Sequence, residues 1–557
     1  MDKKFVTYLE FGAVGDGVHD DFEAIYRAHE YANANGLPVV TNDDKTYYIH
    51  ETRIDGEVKS AIIKTDVNWG TSKFIIDDTD IISADGTGRH GKHIFRAVSD
   101  YEMQTFTEGE ILTKLAGIGE GTKKVDLALG YPAMIVVYDN EQRVFRRSGS
   151  YGPNSKVGTD AHELIVIDAE GNVDESTPFM FNYPQISKLE ILRIDIKPIT
   201  VSGGEFTTRA SRMNAWDPET QKIVGSYIAR GLAINRSYTT VCGVKHYVVG
   251  DITTYEHRDK KMRGAHYNGF YAASYANEVT IKDCVFTGRR YYRLAGTYEF
   301  SGHMVNKIRL IGCTQSNFQV EAEDGTMVYS MSVSPVSGTL RHWGIGGTNF
   351  CKNMEYINSK LSRFDAHQGL YHGKMVGCTM NFMELTGKGD LLIEGLDWYS
   401  ANPGETYNSL AYLRGDYGCT WDGTITIKDC TANVERGDFY IVQHSYGNWY
   451  YGYDCVFPNL IIDNLKIKGL DEGAKVHLMT ESRSVKKEPN LHLPVTLNTL
   501  HDNEDGTKDN NNANMIVPPK FIKVINNNSG YDILLPKASF FDNTEKVGLV
   551  EVDMENL

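Results

Sequence analysis

Short stretches of alternating apolar and polar residues recur along much of this chain, each closing on a small residue. Val279-Thr280-Ile281-Lys282-Asp283-Cys284 and Ile308-Arg309-Leu310-Ile311-Gly312-Cys313 are close copies. Lys374-Met375-Val376-Gly377-Cys378 and Ile425-Thr426-Ile427-Lys428-Asp429-Cys430 follow the same pattern. Looser copies are Met354-Glu355-Tyr356-Ile357-Asn358-Ser359, Leu391-Leu392-Ile393-Glu394-Gly395 and Leu460-Ile461-Ile462-Asp463-Asn464. Taking the closing residue as an anchor gives positions 284, 313, 359, 378, 395, 430 and 464, separated by 17 to 46 residues. Alternation with period two predicts strands buried on one face. Strands this short cannot bury that face alone, so the copies must stack as coils of a solenoid, with the unequal separations as loops. The anchor cysteines are then small, buried, apolar residues.

The beginning of the chain has a different pattern. In Phe11-Gly12-Ala13-Val14-Gly15-Asp16-Gly17-Val18-His19-Asp20-Asp21-Phe22-Glu23-Ala24-Ile25, three glycines mark a tight loop. Asp20 and Glu23 have capping-box spacing, and Phe22, Ile25, Ala28 and Ala32 are close to helical spacing. Gly36 suits a C-cap and Pro38 lies just beyond. A helix near 20–35 covering one end of the stack is expected, followed by strands at Leu37–Val40 and Thr46–Ile49. This stretch resembles the "GAxGDGxxDDxxAI" sequence that opens the right-handed β-helix of the pectate-lyase-like superfamily. That superfamily includes pectate and other polysaccharide lyases, polygalacturonase-like glycosidases, epimerases and phage tailspikes. The resemblance implies an all-β, right-handed parallel β-helix with an N-terminal cap helix, and a polysaccharide as partner.

Residues 100–180 interrupt the repeat. Met134–Tyr138 and Arg143–Arg146 flank Asp139-Asn140-Glu141-Gln142, and Leu164–Ile167 precedes Glu170-Gly171-Asn172. Both patterns predict hairpins, hence an antiparallel insertion. Residues 490–557 start polar and return to strand pattern at Phe521–Ile525 and Tyr531–Leu535, which suits a C-terminal cap over unpaired strand edges. The expected organisation is a single β-helix domain over 1–557 carrying that insertion and cap.

Composition narrows the partners. The chain has 557 residues and a formal net charge of -16, against the basic footprint that nucleic-acid binding needs. No apolar run of membrane-spanning length occurs, and the first residues lack a signal-peptide core. This suits a cytoplasmic protein if Met1 is the native start, or a secreted one after removal of a signal peptide. Eight cysteines without a CxxC pair argue against a zinc ribbon or a redox motif. No metal or cofactor is expected, and a homo-oligomer is compatible.

Candidate chemistry comes from aligning the coils on their anchors. Six residues past each anchor stand Arg290, Gln319, Asp365, Glu384, Ala401 and Arg436. Asp365 and Glu384 then share a face on adjacent coils, where one carboxyl should resist ionisation. A protonated acid beside an ionised base is what glycoside hydrolysis requires. Arg290, Arg436, Arg363 and Arg289 could hold an acidic sugar. His367, two residues past Asp365, could move a proton or bind substrate. With His372 it matches no standard zinc spacing. His266 and Tyr267, with Arg341 and His342, add aromatic and basic groups suited to sugar rings.

Three functions follow. The first is a glycoside hydrolase using Asp365 and Glu384. The second is a lyase using His266, Tyr267 or His367 as base, with arginine neutralising a uronate. The third is a carbohydrate-binding β-helix without catalysis. An epimerase or tailspike is a minor alternative. The sequence departs from the polygalacturonase pattern, since Asn-Thr-Asp and Gly-His-Gly are absent.

Overall fold

The computed structural model describes residues 3–41, 44–81, 92–145, 158–210, 216–217, 222–223, 228–249, 268–287, 298–316, 319–321, 327–329, 346–400, 408–444, 455–480, 495–496, 516–517, 519–535 and 551–553. The chain divides into two compact units. One comprises 1–100, 195–347 and 359–363, and the other comprises 101–194, 348–358 and 364–557. The architecture is that of a right-handed parallel β-helix.

In the first unit the helix Phe22–Asn35 ends at Gly36 in the left-handed region, as expected. Its start differs from the expected capping box, because Asp21 is the N-cap and makes no side-chain cap bond. The two aspartates serve the loop and the next strand instead. The buried Asp21 carboxylate accepts the N–H groups of Val14, Gly15 and Tyr48. Asp20 accepts those of Phe22, His50 and Glu51. Glu23 pairs one turn along the helix with Arg27. The strands Thr46–Ile49, Lys73–Asp77, Glu205–Arg209 and Lys245–Val249 pair in parallel. Their inward residues include Phe74 and Phe206, whose rings stack at 4.4 Å.

The second unit has three parallel ladders, and each complete coil gives one strand to each. The first runs through Gln368–Val376, Gly387–Glu394, Thr424–Lys428, Asn459–Asp463 and Phe521–Asn526. The second runs through Thr379–Met380, Asp397–Tyr399, Thr431–Asn433 and Lys466–Lys468. The third contains Phe382–Leu385, Ser409–Leu413, Phe439–His444, Val476–Met479 and Ile533–Leu534. The segments at 521–526 and 533–534 thus extend the parallel ladders.

Between the first and second ladders the chain turns through one left-handed residue, which only Gly, Asn and Asp adopt readily. Asn358, Gly377, Gly395, Asp429 and Asn464 all have φ between 46° and 63°. Gly243, Asp283 and Gly312 turn the chain in the same way in the first unit, with φ of 67°, 53° and 63°. The residue after each corner is buried: Cys378, Leu396, Cys430 and Leu465 in the second unit, Val244, Cys284 and Cys313 in the first. Backbone bonds from Asp397 to Cys378, Thr431 to Leu396 and Lys466 to Cys430 align these residues. Gly395 and Asn464 are therefore corner residues, and the true anchors lie one position later, at Leu396 and Leu465.

The antiparallel sheet in the second unit consists of Gln104–Phe106, Ala133–Val144, Thr159–Ile167, Lys188–Arg193 and Val495–Thr496. The expected hairpin at Asp139–Gln142 does not form. Residues 133–144 are one strand with an irregularity between Asp139 and Arg143, because Asp139 turns inward to accept the side chains of Gln142 and Gln185. The turn after Ile167 does reverse the chain, with an antiparallel bridge between Ile167 and Val173.

Candidate functional site

The third ladder of the second unit brings two of the expected residues together. Asp365 closes the strand Arg363–Asp365, and Glu384 lies in Phe382–Leu385. The Ala366 N–H donates to the Glu384 carbonyl at 2.9 Å, which sets the two acidic residues side by side in parallel register. Glu384 is in turn opposite Tyr412, and Tyr412 opposite Gln443.

Arg414 joins the carboxylates. It directly follows the strand Ser409–Leu413 and is tied to the neighbouring coil by its N–H on the Leu385 carbonyl. One guanidinium nitrogen, Nη1, donates to Asp365 Oδ1 and to Glu384 Oε2, both at 3.0 Å. The repulsion expected between two bare carboxylates is thus offset by a cation placed between them. Asp365 is 0% exposed and Glu384 8%, so neither is the open groove residue that the alignment suggests.

His367 is half-buried beside this cluster. Its Nδ1 is 2.9 Å from Asn349 Oδ1, and its ring meets Tyr417 edge-on at 5.3 Å. The Arg414 guanidinium lies 5.8 Å from the same Tyr417 ring. Asp365, Glu384, Arg414, Tyr417 and His367 form one connected group. Sequence reasoning found Asp365, Glu384 and His367 and missed Arg414 and Tyr417. Only the strand register points to them, since Arg414 stands two residues beyond the partner of Glu384.

The other expected residues behave differently. Arg363 is 1% exposed, a core side chain rather than a substrate ligand. Arg436 is exposed in the turn before Phe439–His444, whereas Gln443, in line with Glu384, stands near that strand's far end. The alignment failed there because the chain between the second and third ladders is longer in this coil. Arg289, Arg290, His266, Tyr267, Arg341 and His342 lie outside the described residues, as do Ala401 and the hairpin residue Arg146. Among the described residues, no group of three or more His, Cys, Asp or Glu side chains is placed to hold a metal ion, and no helix is long and apolar enough to cross a membrane.

The first unit contains a second polar cluster. Thr208 Oγ1 is 2.9 Å from His246 Nε2, and His246 Nδ1 is 2.5 Å from Glu299 Oε1. Hydroxyl, imidazole and carboxylate in this order are the elements of a nucleophilic triad. All three are at most 4% exposed, however, and His246 stacks on Phe270 at 4.1 Å. Thr287 completes the network, donating its N–H to Glu299 and its hydroxyl to the His246 carbonyl. This is a satisfied polar network in the core.

No family model and no curated protein matches the chain. Solved structures do. A surface adhesin of Streptococcus pneumoniae is 11% identical over 96% of this chain and 100% of that chain, with a TM-score of 0.42. A tailspike protein from a Pseudomonas phage is 13% identical over 85% and 80%, with a TM-score of 0.40. An exopolygalacturonase from Thermotoga maritima is 10% identical over 84% and 92%, with a TM-score of 0.26. These are right-handed parallel β-helix proteins, the fold class of the pectate-lyase-like superfamily. At such identities and scores they carry no argument about chemistry, and the fold rests on the strand ladders themselves.

Proposed function

We propose that this protein acts on polysaccharide as a glycoside hydrolase, with Glu384 and Asp365 as its carboxyl pair and Glu384 as the group that meets the sugar. The observation that carries this reading is the shared hydrogen bonding of both carboxylates to Arg414 Nη1 at 3.0 Å. Arg414 would keep one carboxylate ionised while the other exchanges a proton with the leaving oxygen. His367 and Tyr417 would border the bound ring.

The complete burial of Asp365 favours a second reading, a carbohydrate-binding β-helix in which the three charged groups act as a structural clasp. Incubating the protein with a panel of neutral and acidic polysaccharides separates the readings. New reducing ends without ultraviolet absorbance support hydrolysis. A rising absorbance indicates elimination and a lyase. Binding without either product supports the non-catalytic reading.

A further inference from the structure

His367 is held from several sides, and the contact at its Nδ1 decides what its other nitrogen does. Two successive residues of the strand Gly346–Ile357 grip the segment that carries Asp365 and His367. The Thr348 hydroxyl donates to the Asp365 carbonyl at 3.0 Å, and Asn349 Oδ1 lies 2.9 Å from His367 Nδ1. One residue further on, Gln368 Nε2 donates to Thr159 Oγ1 of the antiparallel sheet at 2.8 Å. Asn349 and Gln368 are partners in the parallel register, so the ladder itself brings the Asn349 carboxamide beside His367. Tyr417 meets the imidazole edge-on at 5.3 Å. A side chain fixed in this way by packing and by a supporting hydrogen bond has the rigidity that a reacting group needs.

A carboxamide oxygen has lone pairs and no hydrogen, so a hydrogen bond between Asn349 Oδ1 and His367 Nδ1 needs the proton on Nδ1. Nε2 is then the nitrogen that gains and loses a proton. We propose, resting on the reading above, that Asn349 is a positioning residue of the site: it holds His367 in the Nδ1–H form, and Nε2 takes the proton of the water that completes hydrolysis. As the oxygen of that water bonds to the anomeric carbon, its proton passes to Nε2 and an imidazolium forms. The imidazolium gives the proton back, through solvent, to the carboxyl that protonated the leaving oxygen. One water is consumed, and each group ends in the state in which it began. Burial supports this division of roles. Asp365 is buried, whereas His367 is half-buried, so the imidazole is the more accessible of the two to an arriving water.

Two substitutions and one spectrum test this. Asn349→Leu removes the acceptor, and Asn349→Asp keeps one. Both full-length variants are compared with wild type, at matched melting midpoints, for reducing-end release from the polysaccharide that wild type cleaves fastest. Asn349→Leu should lose about a hundredfold in kcat with KM little changed, and Asn349→Asp should recover most of that loss. Long-range proton–nitrogen NMR of histidine-labelled wild type, at a pH where the ring is neutral, should show the hydrogen of His367 on Nδ1; the spectrum of His367→Gln assigns the signal. Equal kcat in Asn349→Leu and wild type, or the hydrogen on Nε2, overturns the inference while leaving the hydrolase reading in place. A wild type that releases no reducing ends from any polysaccharide of the panel removes that reading, and the inference falls with it. If Asn349→Leu fails to fold, the position of the hydrogen in wild type decides.

Discussion

Glu163 and Lys352 form an ion pair at 2.7 Å with neither side chain exposed to solvent. Glu163 lies in the antiparallel strand Thr159–Ile167 and Lys352 in the coil strand Gly346–Ile357, so the pair fastens the insertion to the coils of its own unit. The Glu163 carboxylate also accepts the N–H groups of Met180 and Phe181, and the Lys352 ammonium donates to the Pro178 carbonyl. Burial lowers the Lys352 pKa, and Glu163 opposes that shift. Removing one partner would leave the other charged and unmatched. Lys352→Met should lower stability by about 3–5 kcal/mol, and Lys352→Met with Glu163→Gln by less. Denaturant unfolding of the single and double variants checks this.

Acid should loosen the N-terminal cap through His29. This side chain is 1% exposed in the helix Phe22–Asn35, and burial lowers its pKa to about 3. Trp69 Nε1 donates to the Tyr8 hydroxyl at 2.9 Å, and that hydroxyl lies 2.9 Å from His29 Nε2. In the unfolded chain the imidazole titrates near its ordinary value of about 6.5. The unfolded state therefore binds the extra proton first. Stability contributed by neutral His29 is complete above about pH 6.5 and falls as pH drops toward the folded value. His29→Gln should flatten the stability profile between pH 7 and pH 4. An unchanged slope in unfolding titrations would remove His29 from the acid response.

The ladder cysteines should resist modification in the folded protein. Burial pushes the Cys313 thiol up to about 12 and the Cys430 thiol up to about 11. With so little thiolate at neutral pH, neither is a nucleophile. Treatment with an alkylating reagent followed by peptide mass spectrometry should find both unmodified in native protein and both modified after unfolding.

The corner residues make a graded test of backbone strain. Gly395 has φ +62°, and a Cβ there would have no neighbour nearer than 3.7 Å. Gly395→Ala should therefore cost only the left-handed penalty, about 1–2 kcal/mol. At Gly377, with φ +63°, the added Cβ would lie 2.5 Å from Asn358 Oδ1. Gly377→Ala should cost more, unless Asn358 swings away. Thermal melts of the two variants compare the penalties directly.

These corners also explain what the sequence made legible. The repeat was readable because each coil pairs an alternating strand with a corner that only a few residue types tolerate. Aligning on small closing residues worked at Cys284, Cys313, Cys378 and Cys430, where a corner Asp or Gly precedes the cysteine. It slipped by one at Gly395 and Asn464, where the corner residue itself is small and the buried anchor is a leucine. Aligning on Asp283, Gly312, Asn358, Gly377 and Asp429 would have avoided the slip. The Asp365–Glu384 register survived because both coils pass from corner to third ladder by a short path. Later coils take a longer path there, which hid Arg414 and misplaced Arg436. At the cap, Asp20 and Glu23 had the spacing of a capping box, but Asp20 is taken up by the N–H groups of Phe22, His50 and Glu51, and Glu23 by Arg27.

The most direct test of the central claim is the initial rate of reducing-end release from a neutral polysaccharide by wild type and by Glu384→Gln, with ultraviolet absorbance followed in parallel. The account predicts release by wild type without absorbance, and a loss of about 10²–10⁴-fold in the variant at an unchanged melting midpoint. Equal rates in the two proteins, or an absorbance that rises with cleavage, would contradict it.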